Sequence, residues 1–222
     1  ETDLTNCYLL ELHQKFNKKP RFINDPGGIK NFTEKIFPIY FSELMPKTLI
    51  TSDEGIFKKE LANKQTLILK TLYNKGGKGV IKVEKKDKNP LKKFKELIQT
   101  YKVPVVIQDF ISNVSKGDKR VILIKGEVVG LINRIPKSGN FKANLHLGGK
   151  AEVSKLSKKE SEICSKIKPF LIKNKLFFVG IDLIDEKLTE INVTSPTGIV
   201  QIQELTGINI AKELWRKLLP NY

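Results

Sequence analysis

Residues 177–194 read FFVGIDLIDEKLTEINVT, and the fold of the chain is decided by how this stretch is paired. Two apolar runs flank the polar turn Asp185-Glu186-Lys187, which predicts a β-hairpin. With a three-residue loop, Ile184 pairs with Leu188, and the same register sets Asp182 opposite Glu190. Side chains alternate along a strand, so Asn192 joins these two on one face, while Ile181, Leu183, Ile191 and Val193 share the other. The second set is a core face. The first opposes two carboxylates across a strand pair, which is unfavourable unless a cation offsets it. An all-oxygen set of Asp182, Glu190 and Asn192, with no lysine among them, suits magnesium completed by water and nucleotide phosphate.

Two further segments carry chemistry. In Leu67–Val80, LILKTLYNKGGKGV, an apolar strand ends at Lys70, and Gly76, Gly77 and Gly79 follow in a turn. Glycines let backbone N–H groups approach phosphate oxygens, and a lysine at a strand end adds a positive charge. The spacing matches neither the Walker pattern nor the dinucleotide fingerprint. The run Gly117-Asp118-Lys119-Arg120 leads into a hairpin that reaches Arg134. A guanidinium grips a carboxylate or a phosphate through two parallel hydrogen bonds.

The remaining elements are read from periodicity, caps and breakers. A helix is predicted from Leu4 to Phe16, then a short strand at Arg21–Asn24. A second helix has Ile29, Phe32, Ile36 and Tyr40 on one side and ends before Pro46. Ser52 is read as the N-cap of a helix carrying Ile56 and Leu61. Strands follow at Gln65–Leu72 and Val80–Glu84, and Asn89-Pro90 opens a helix to Tyr101. An apolar strand at Val103–Ile111 precedes a hairpin of Val121–Ile124 with Glu127–Ile132 around Lys125-Gly126. Residues 136–150 form a long polar loop of the kind kept for function. Ser157-x-x-Glu160 is a capping box that starts a helix to about Asn174, and the last helix spans Gly207–Leu219. This β-β-α-β order followed by hairpins is not a doubly wound pattern; it predicts α+β architecture in two lobes with a cleft between them.

Composition bounds the function. The chain has 222 residues, and no apolar run approaches the roughly 20 residues that span a bilayer. A net charge of +16 raises the question of a nucleic-acid partner. Arginine, the preferred reader of bases and phosphates, occurs only at positions 21, 120, 134 and 216, and the lysines are scattered through every segment. The charge is therefore read as a solvated lysine-rich surface, part of which attracts an anionic ligand such as a nucleotide, with no nucleic acid and no membrane as partner. Cys7 and Cys164 lie far apart and are read as free thiols in a cytoplasmic protein. His13 and His146 are isolated, so no zinc site of the usual spacing can be built.

The segments GDKRV, Arg134-Ile135-Pro136 before a loop holding Asn144 and Gly148-Gly149, FVGIDLI and LTEINVTSPTGI occur in an order that closely resembles bacterial glutathione synthetase across essentially the whole chain. The resemblance implies the ATP-grasp fold, with a connector at residues 1–33 and an ATP-grasp domain at 34–222, divided into a small lobe at about 47–110 and a large lobe at about 111–222. It implies that Lys35 and Lys70 hold the ATP phosphates, that the Gly76-Gly77 turn closes over them, and that adenine sits on Gln108, Asp109, Phe110 and Ile111. Asp118 lies near the ribose. Asp182, Glu190 and Asn192 match the family's magnesium ligands, with manganese as an alternative ion. Arg120 and Arg134 stabilise the transferred phosphoryl group and the substrate carboxylate. Residues 136–150 are the lid, and Lys142, Asn144, Ser195, Pro196 and Thr197 lie on the substrate side.

The implied reaction phosphorylates the carboxylate of γ-glutamylcysteine with ATP and then joins it to glycine, giving glutathione, ADP and phosphate through an acyl phosphate. The alternatives are another ATP-grasp ligase for amino acids or peptides, and a degenerate nucleotide-binding remnant. In the glycine loop the family's Pro-Leu-Asp-Gly-x-Gly-Gly stands here as Thr71-Leu72-Tyr73-Asn74-Lys75-Gly76-Gly77, and Lys142 and Lys150 stand where the family has arginine. The family's first domain is expected to be missing, so the chain is expected to bind Mg-ATP but to turn over poorly alone. A homo-oligomer or a separate chain supplying that domain is the matching expectation for partners.

Overall fold

The structure is a computed structural model that describes residues 2–17, 22–74 and 76–219. Helix α1 (Thr2–Phe16) packs on the short helix α2 (Pro26–Asn31), with Lys30 Nζ 4.5 Å from the Tyr8 ring centre, and leaves Leu4, Tyr8, Leu9, Leu12 and Phe16 exposed. Asp25 caps α2 by accepting from the N–H groups of Gly27 and Gly28, and Pro26 fills the first helical position. The long second helix expected from Ile29 to Tyr40 is two pieces. α2 stops at Asn31, and a separate 3₁₀ segment runs from Phe37 to Leu44 with Pro38 in its first turn. Arg21 lies outside the described residues, and Phe22–Asn24 forms no strand.

Small and large sheets follow in chain order. Strand β1 (Thr48–Thr51), helix α3 (Glu54–Asn63), strands β2 (Thr66–Thr71) and β3 (Val80–Glu84), helix α4 (Pro90–Tyr101) and strand β4 (Val105–Asp109) make the first lobe. Its antiparallel sheet has the order β1-β4-β2-β3. The N-cap of α3 is Asp53, whose carboxylate accepts from Ile56 N, one residue beyond the expected Ser52. Both types cap helices, and the backbone places Asp53 at the turn. Leu67, Leu69, Val83, Val105 and Ile107 bury one sheet face against Phe57 of α3 and Phe94 of α4, whose rings stack at 4.6 Å. Full burial of each such ring contributes about 1.5–3 kcal/mol.

Strands β5 (Asp118–Ile124), β6 (Glu127–Ile135) and β7 (Lys150–Glu152), helix α5 (Lys158–Lys173), strands β8 (Phe178–Ile184) and β9 (Lys187–Asn192), and helices α6 (Ile199–Thr206) and α7 (Ile210–Leu218) make the second lobe. Its antiparallel sheet has the order β7-β6-β5-β8-β9 and is covered on both faces. Val121, Leu123, Val179, Ile181 and Leu183 face Ile163, Ile167 and Leu171 of α5, with Phe37 and Met45 completing that core. Ile122, Ile124 and Ile132 face Ile202 of α6 and Ile210 of α7. The odd and even residues of β5 therefore serve two different cores, the period-2 pattern of a strand buried on both sides. The α+β expectation holds. Helix α6 was absent from the sequence reading, and the final helix begins at Ile210 with Asn209 as its cap rather than at Gly207.

The decisive hairpin keeps its key pair by a route the sequence reading did not foresee. The loop has two residues, Asp185 and Glu186, both at positive φ, so Ile184 pairs with Lys187 and Leu183 with Leu188. A β-bulge then restores Asp182 opposite Glu190, Ile181 opposite Ile191 and Gly180 opposite Asn192. Thr189 is the extra residue, and its hydroxyl donates to Asp182 O at 3.1 Å.

The capping box of α5 is also tied to this hairpin. Ser157 Oγ accepts from Glu160 N at 3.2 Å and donates to Glu186 Oε1 at 2.7 Å, while Glu160 Oε2 accepts from Ser157 N at 2.8 Å. Ser157→Ala is expected to lower the unfolding free energy by about 1–2 kcal/mol. Urea unfolding checks this: the midpoint should fall while the denaturant slope stays constant.

Candidate active site

A cleft of about 720 Å³ opens between the two sheets, a size that suits a small-molecule site. Phe110 and Ile111 link the end of β4 to the second lobe without belonging to a strand, and both line the cleft. The first lobe contributes Lys70 at the end of β2 and the loop of Asn74, Gly76 and Gly77. Strands β5, β6, β8 and β9 contribute Asp118, Arg120, Arg134, Asp182, Glu190 and Asn192. Lys35, Gln108, Asp109, Lys142, Asn144, Ser195, Pro196 and Thr197 line the same cleft, whereas Gly79 of the glycine turn and Lys150 of the lid do not.

Strand register assembles its charged floor. Asp182 stands opposite Glu190 on β9 and opposite Arg120 on β5, and Asp118 stands opposite Arg134 on β6. Arg120 holds Asp182 in a fork, Nε to Oδ1 at 2.6 Å and the second bond to Oδ2 at 3.0 Å. Arg134 lies between the two aspartates, one terminal nitrogen 2.7 Å from Asp118 Oδ2 and 3.1 Å from Asp182 Oδ1. Arg120, Arg134 and Asp182 are all buried. The expectation that a metal must offset the Asp182–Glu190 repulsion is therefore corrected for Asp182, whose charge is already balanced by two arginines. Glu190 is less enclosed, and Lys70 Nζ lies 3.4 Å from its Oε1.

Burial and charge act against each other here. Burial pushes the Asp182 carboxyl up, but Arg120 and Arg134 together outweigh it and hold the group well below the usual carboxylate range. Asp118 has one arginine, shared with Asp182; burial pushes it up to about 6, with Arg134 opposing and the Asp182 charge adding to the rise. Burial pulls the Lys142 ammonium down. Glycine at position 180 lets the substrate-side loop close on this floor. A Cβ there would come within 2.6 Å of Pro196 Cβ and 3.3 Å of Arg120 Cδ. Arg120 also donates to Thr197 O at 3.2 Å, joining the floor to residues 195–197.

The donor chemistry fits a hard divalent cation. Asp182, Glu190 and Asn192 present only oxygen acceptors and an amide to the cleft, and a carboxylate has about four lone-pair sites, so the arginine contacts do not exhaust Asp182. Asp118 Oδ1 and Asn192 Nδ2 are buried in the cleft wall without a hydrogen-bond partner among the described residues, the kind of group that a bound ligand satisfies. Two lysines have partners that the sequence did not suggest: Lys35 Nζ donates to Asn74 O at 2.5 Å, and Lys142 Nζ donates to Gly77 O at 2.9 Å. Gln108 turns its amide to Thr48 Oγ1 at 2.8 Å, and the Asp109 carboxylate pairs with Lys64 at 2.8 Å.

Sequence reasoning missed Glu34, Phe141, His146 and Gln201 among the cleft residues. His146 is isolated from other metal-ligating side chains in the sequence, and its place in the long polar loop is the one signal of a functional role. Loop 136–150 is partly ordered by a 3₁₀ turn at Leu145–Leu147, and its last residue belongs to β7.

Residues 34–207 match the family model described as prokaryotic glutathione synthetase, ATP-grasp domain. Glutathione synthetase from Mesorhizobium japonicum is 40% identical over 215 residues, covering 96% of this chain and 67% of the relative. The Brucella melitensis glutathione synthetase is 42% identical, with the same coverage of both chains. The chain thus spans about two thirds of the length of these relatives. Among solved structures, the ATP-grasp ligase PsnB complexed with minimal precursor superposes with a TM-score of 0.69 at 18% identity, covering 96% of this chain and 68% of that one. D-alanine–D-alanine ligase from Bacillus anthracis complexed with ATP gives 0.68 at 16% identity, covering 95% and 74%. These two establish a shared fold.

Asp182→Asn leaves buried Arg120 without its carboxylate partner and Arg134 with Asp118 alone, and is expected to cost about 3 kcal/mol or more near neutral pH. A carboxyl held below its ordinary value of 3.8 stabilises the fold above that pH and loses the contribution as pH falls toward the folded value. The stability gap between Asp182→Asn and the unsubstituted chain should therefore narrow in acid. Urea unfolding over a pH series checks it; a gap of constant size would refute the assignment.

Proposed function

Because the chain belongs to the prokaryotic glutathione synthetase family and carries its ATP-grasp domain, we propose that it joins γ-glutamylcysteine to glycine as an ATP-dependent carboxylate–amine ligase. The observation that carries the reading is the convergence, in one cleft, of Lys70 and the glycine loop from one lobe with Arg120, Arg134, Asp182, Glu190 and Asn192 from the other. In this reading residues 34–222 are the ligase unit, with lobes at about 47–110 and 111–222, and residues 1–33 are a connector. The backbone bond from Ile191 N to Glu34 O at 3.3 Å and the burial of Phe37 in the second lobe support placing 34–46 with that lobe.

The nucleotide lies with its base along the backbone of residues 108–111 and its ribose toward Asp118. Lys35 and Lys70 neutralise phosphate charge, and the glycine loop covers it. Asp182, Glu190 and Asn192 would hold magnesium, whose charge supports the phosphates and the charge that develops during transfer. A carboxylate oxygen of γ-glutamylcysteine attacks the γ-phosphorus, the bond to the β-phosphate oxygen breaks, and ADP leaves with that electron pair. The glycine amine then adds to the acyl carbon, phosphate leaves with its bonding pair, and the nitrogen loses a proton. Arg134 and Arg120 stabilise the transferred group; they are pre-oriented by Asp118 and Asp182, so little reorganisation is needed as charge moves. Loop 136–150 excludes water from the acyl phosphate, with Lys142, Asn144 and residues 195–197 on the substrate side. Positioning and charge carry this chemistry, and no covalent nucleophile is required. The Cys164 thiol, pushed up to about 11 by burial, fits a structural place in the core.

Glu190→Gln is the informative substitution, because Glu190 is half-buried and is not part of the arginine-balanced pair. Mg-ATP should raise the melting temperature of the unsubstituted chain, and the magnesium-dependent part should weaken at least tenfold in Glu190→Gln, about 1.4 kcal/mol. Lys70→Met should weaken binding with or without the ion. Phosphate release and peptide formation with γ-glutamylcysteine and glycine, set against other acids and amines, then identify the substrates. Equal shifts in the unsubstituted chain and Glu190→Gln would sink the metal assignment; no shift in either would sink the nucleotide site.

A further inference from the structure

Three backbone carbonyls of the glycine loop are each approached by a nitrogen from across the cleft. Lys35 Nζ donates to Asn74 O at 2.5 Å, Lys142 Nζ donates to Gly77 O at 2.9 Å, and His146 Nε2 lies 3.0 Å from Gly76 O. A carbonyl oxygen only accepts, so this contact places a proton on Nε2. The two lysines carry charges that the ligase reading assigns to phosphate and substrate, and such anions compete with a neutral carbonyl for an ammonium group. The imidazole has no such assignment. In the ligase reading it is therefore the contact left to join the two segments once the lysines turn to anionic partners.

The His146–Gly76 contact is built on both sides. Gly76 has φ +67°, and a Cβ there would stand 2.9 Å from Nε2 and 3.2 Å from Cε1 of His146, so only glycine allows both the turn and the approach. On the lid side His146 is the central residue of the 3₁₀ turn Leu145–Leu147. Leu147 N donates to Asn144 O at 2.9 Å and Gly148 N donates to Leu145 O at 3.0 Å. Leu145 packs against the core formed with Ile202 and Ile210, and Ala143 is buried. The ring thus projects from a short arm anchored in the large lobe onto a loop of the small lobe.

We propose that His146 is a positioning residue: its Nε2–H, donated to the Gly76 carbonyl, ties loop 136–150 to the glycine loop so that the two segments open and close as one. The tie itself follows from this geometry; its catalytic consequence rests on the ligase reading. A lid that moves independently of the glycine loop admits water, which diverts the acyl phosphate to hydrolysis and releases phosphate without peptide.

Hydrogen–deuterium exchange on the full chain, with and without Mg-ADP, tests the tie directly. In His146→Leu, amide exchange should rise about fivefold in both 76–79 and 141–149, the change in open population that loss of one hydrogen bond commonly produces. His146→Gln keeps an N–H at a similar reach and should exchange like the unsubstituted chain. Acceleration in neither segment or in only one, or a Gln variant that behaves like Leu, overturns the proposal. In turnover, His146→Leu should release more phosphate per peptide formed, with Gln restoring the ratio. If Mg-ADP protects no segment of the cleft in any of the three proteins, the ligase reading fails, while exchange without nucleotide still decides whether the tie exists.

Discussion

The cleft depends on one carboxylate. Asp182 is buried on β8, between β5 and β9 of the five-stranded sheet, and is held by a two-bond fork from Arg120 and by a further contact from Arg134. Desolvating these groups costs several kcal/mol each, and replacement by well-packed apolar residues is often neutral or better for stability. Stability alone is therefore a weak reason for such a cluster. Its effect on geometry is larger: cross-strand register fixes Arg120 beside Asp182 and Arg134 beside Asp118, so both guanidiniums are locked on rigid strands facing the cleft. Removing Asp182 would remove the partner that aims Arg120 and one of the two that hold Arg134.

That fixed floor contrasts with the small-lobe side of the cleft. There the glycine loop follows β2 through a run of positive-φ residues, Gly76, Gly77 and Gly79, and touches the large lobe through its own carbonyls. Contacts of this type are individually weak and exchangeable. One wall of the site is thus over-determined by buried ion pairs, and the facing wall is held by a few single hydrogen bonds. A ligase that must admit a nucleotide and then exclude water needs this division between a rigid floor and a movable cover.

The sequence made the floor legible only within one strand pair. Alternation in FVGIDLI and LTEINV put Asp182, Glu190 and Asn192 on one face, and the pair Asp182–Glu190 stands as expected. It did so despite a wrong loop length, because the bulge at Thr189 cancels the shortened turn; a bulge has no local sequence signature comparable to Asn-Gly or Pro. The charge balance on Asp182 was illegible from the hairpin. Arg120 lies 62 residues away and reaches Asp182 through the β5–β8 pairing, a non-local register that periodicity cannot supply. The two-lobed α+β architecture and the capping box at Ser157 were legible because both are written in local pattern. The break between Asn31 and Phe37 was missed because an apolar face at helical spacing also suits two short pieces that share one core, as Phe32 and Phe37 do.

The residue types chosen at the cleft follow the same division. The chain has 40 lysines and arginines, of which only four are arginine, and two of those four sit on the floor. An ammonium is a strongly hydrated point charge that is pulled down when buried, as Lys142 is in the lid. A guanidinium stays charged when desolvated and holds its donors in a fixed plane, so it can serve a carboxylate with one edge and keep its orientation toward the cleft. In a composition that otherwise uses lysine for positive charge, arginine is kept at the cleft floor, where a buried charge must also be directed. Lysine is found at Lys35 and Lys70, which are buried as well, and at Lys142, where each ammonium, on a flexible stem, reaches a single hydrogen-bond partner among the described residues.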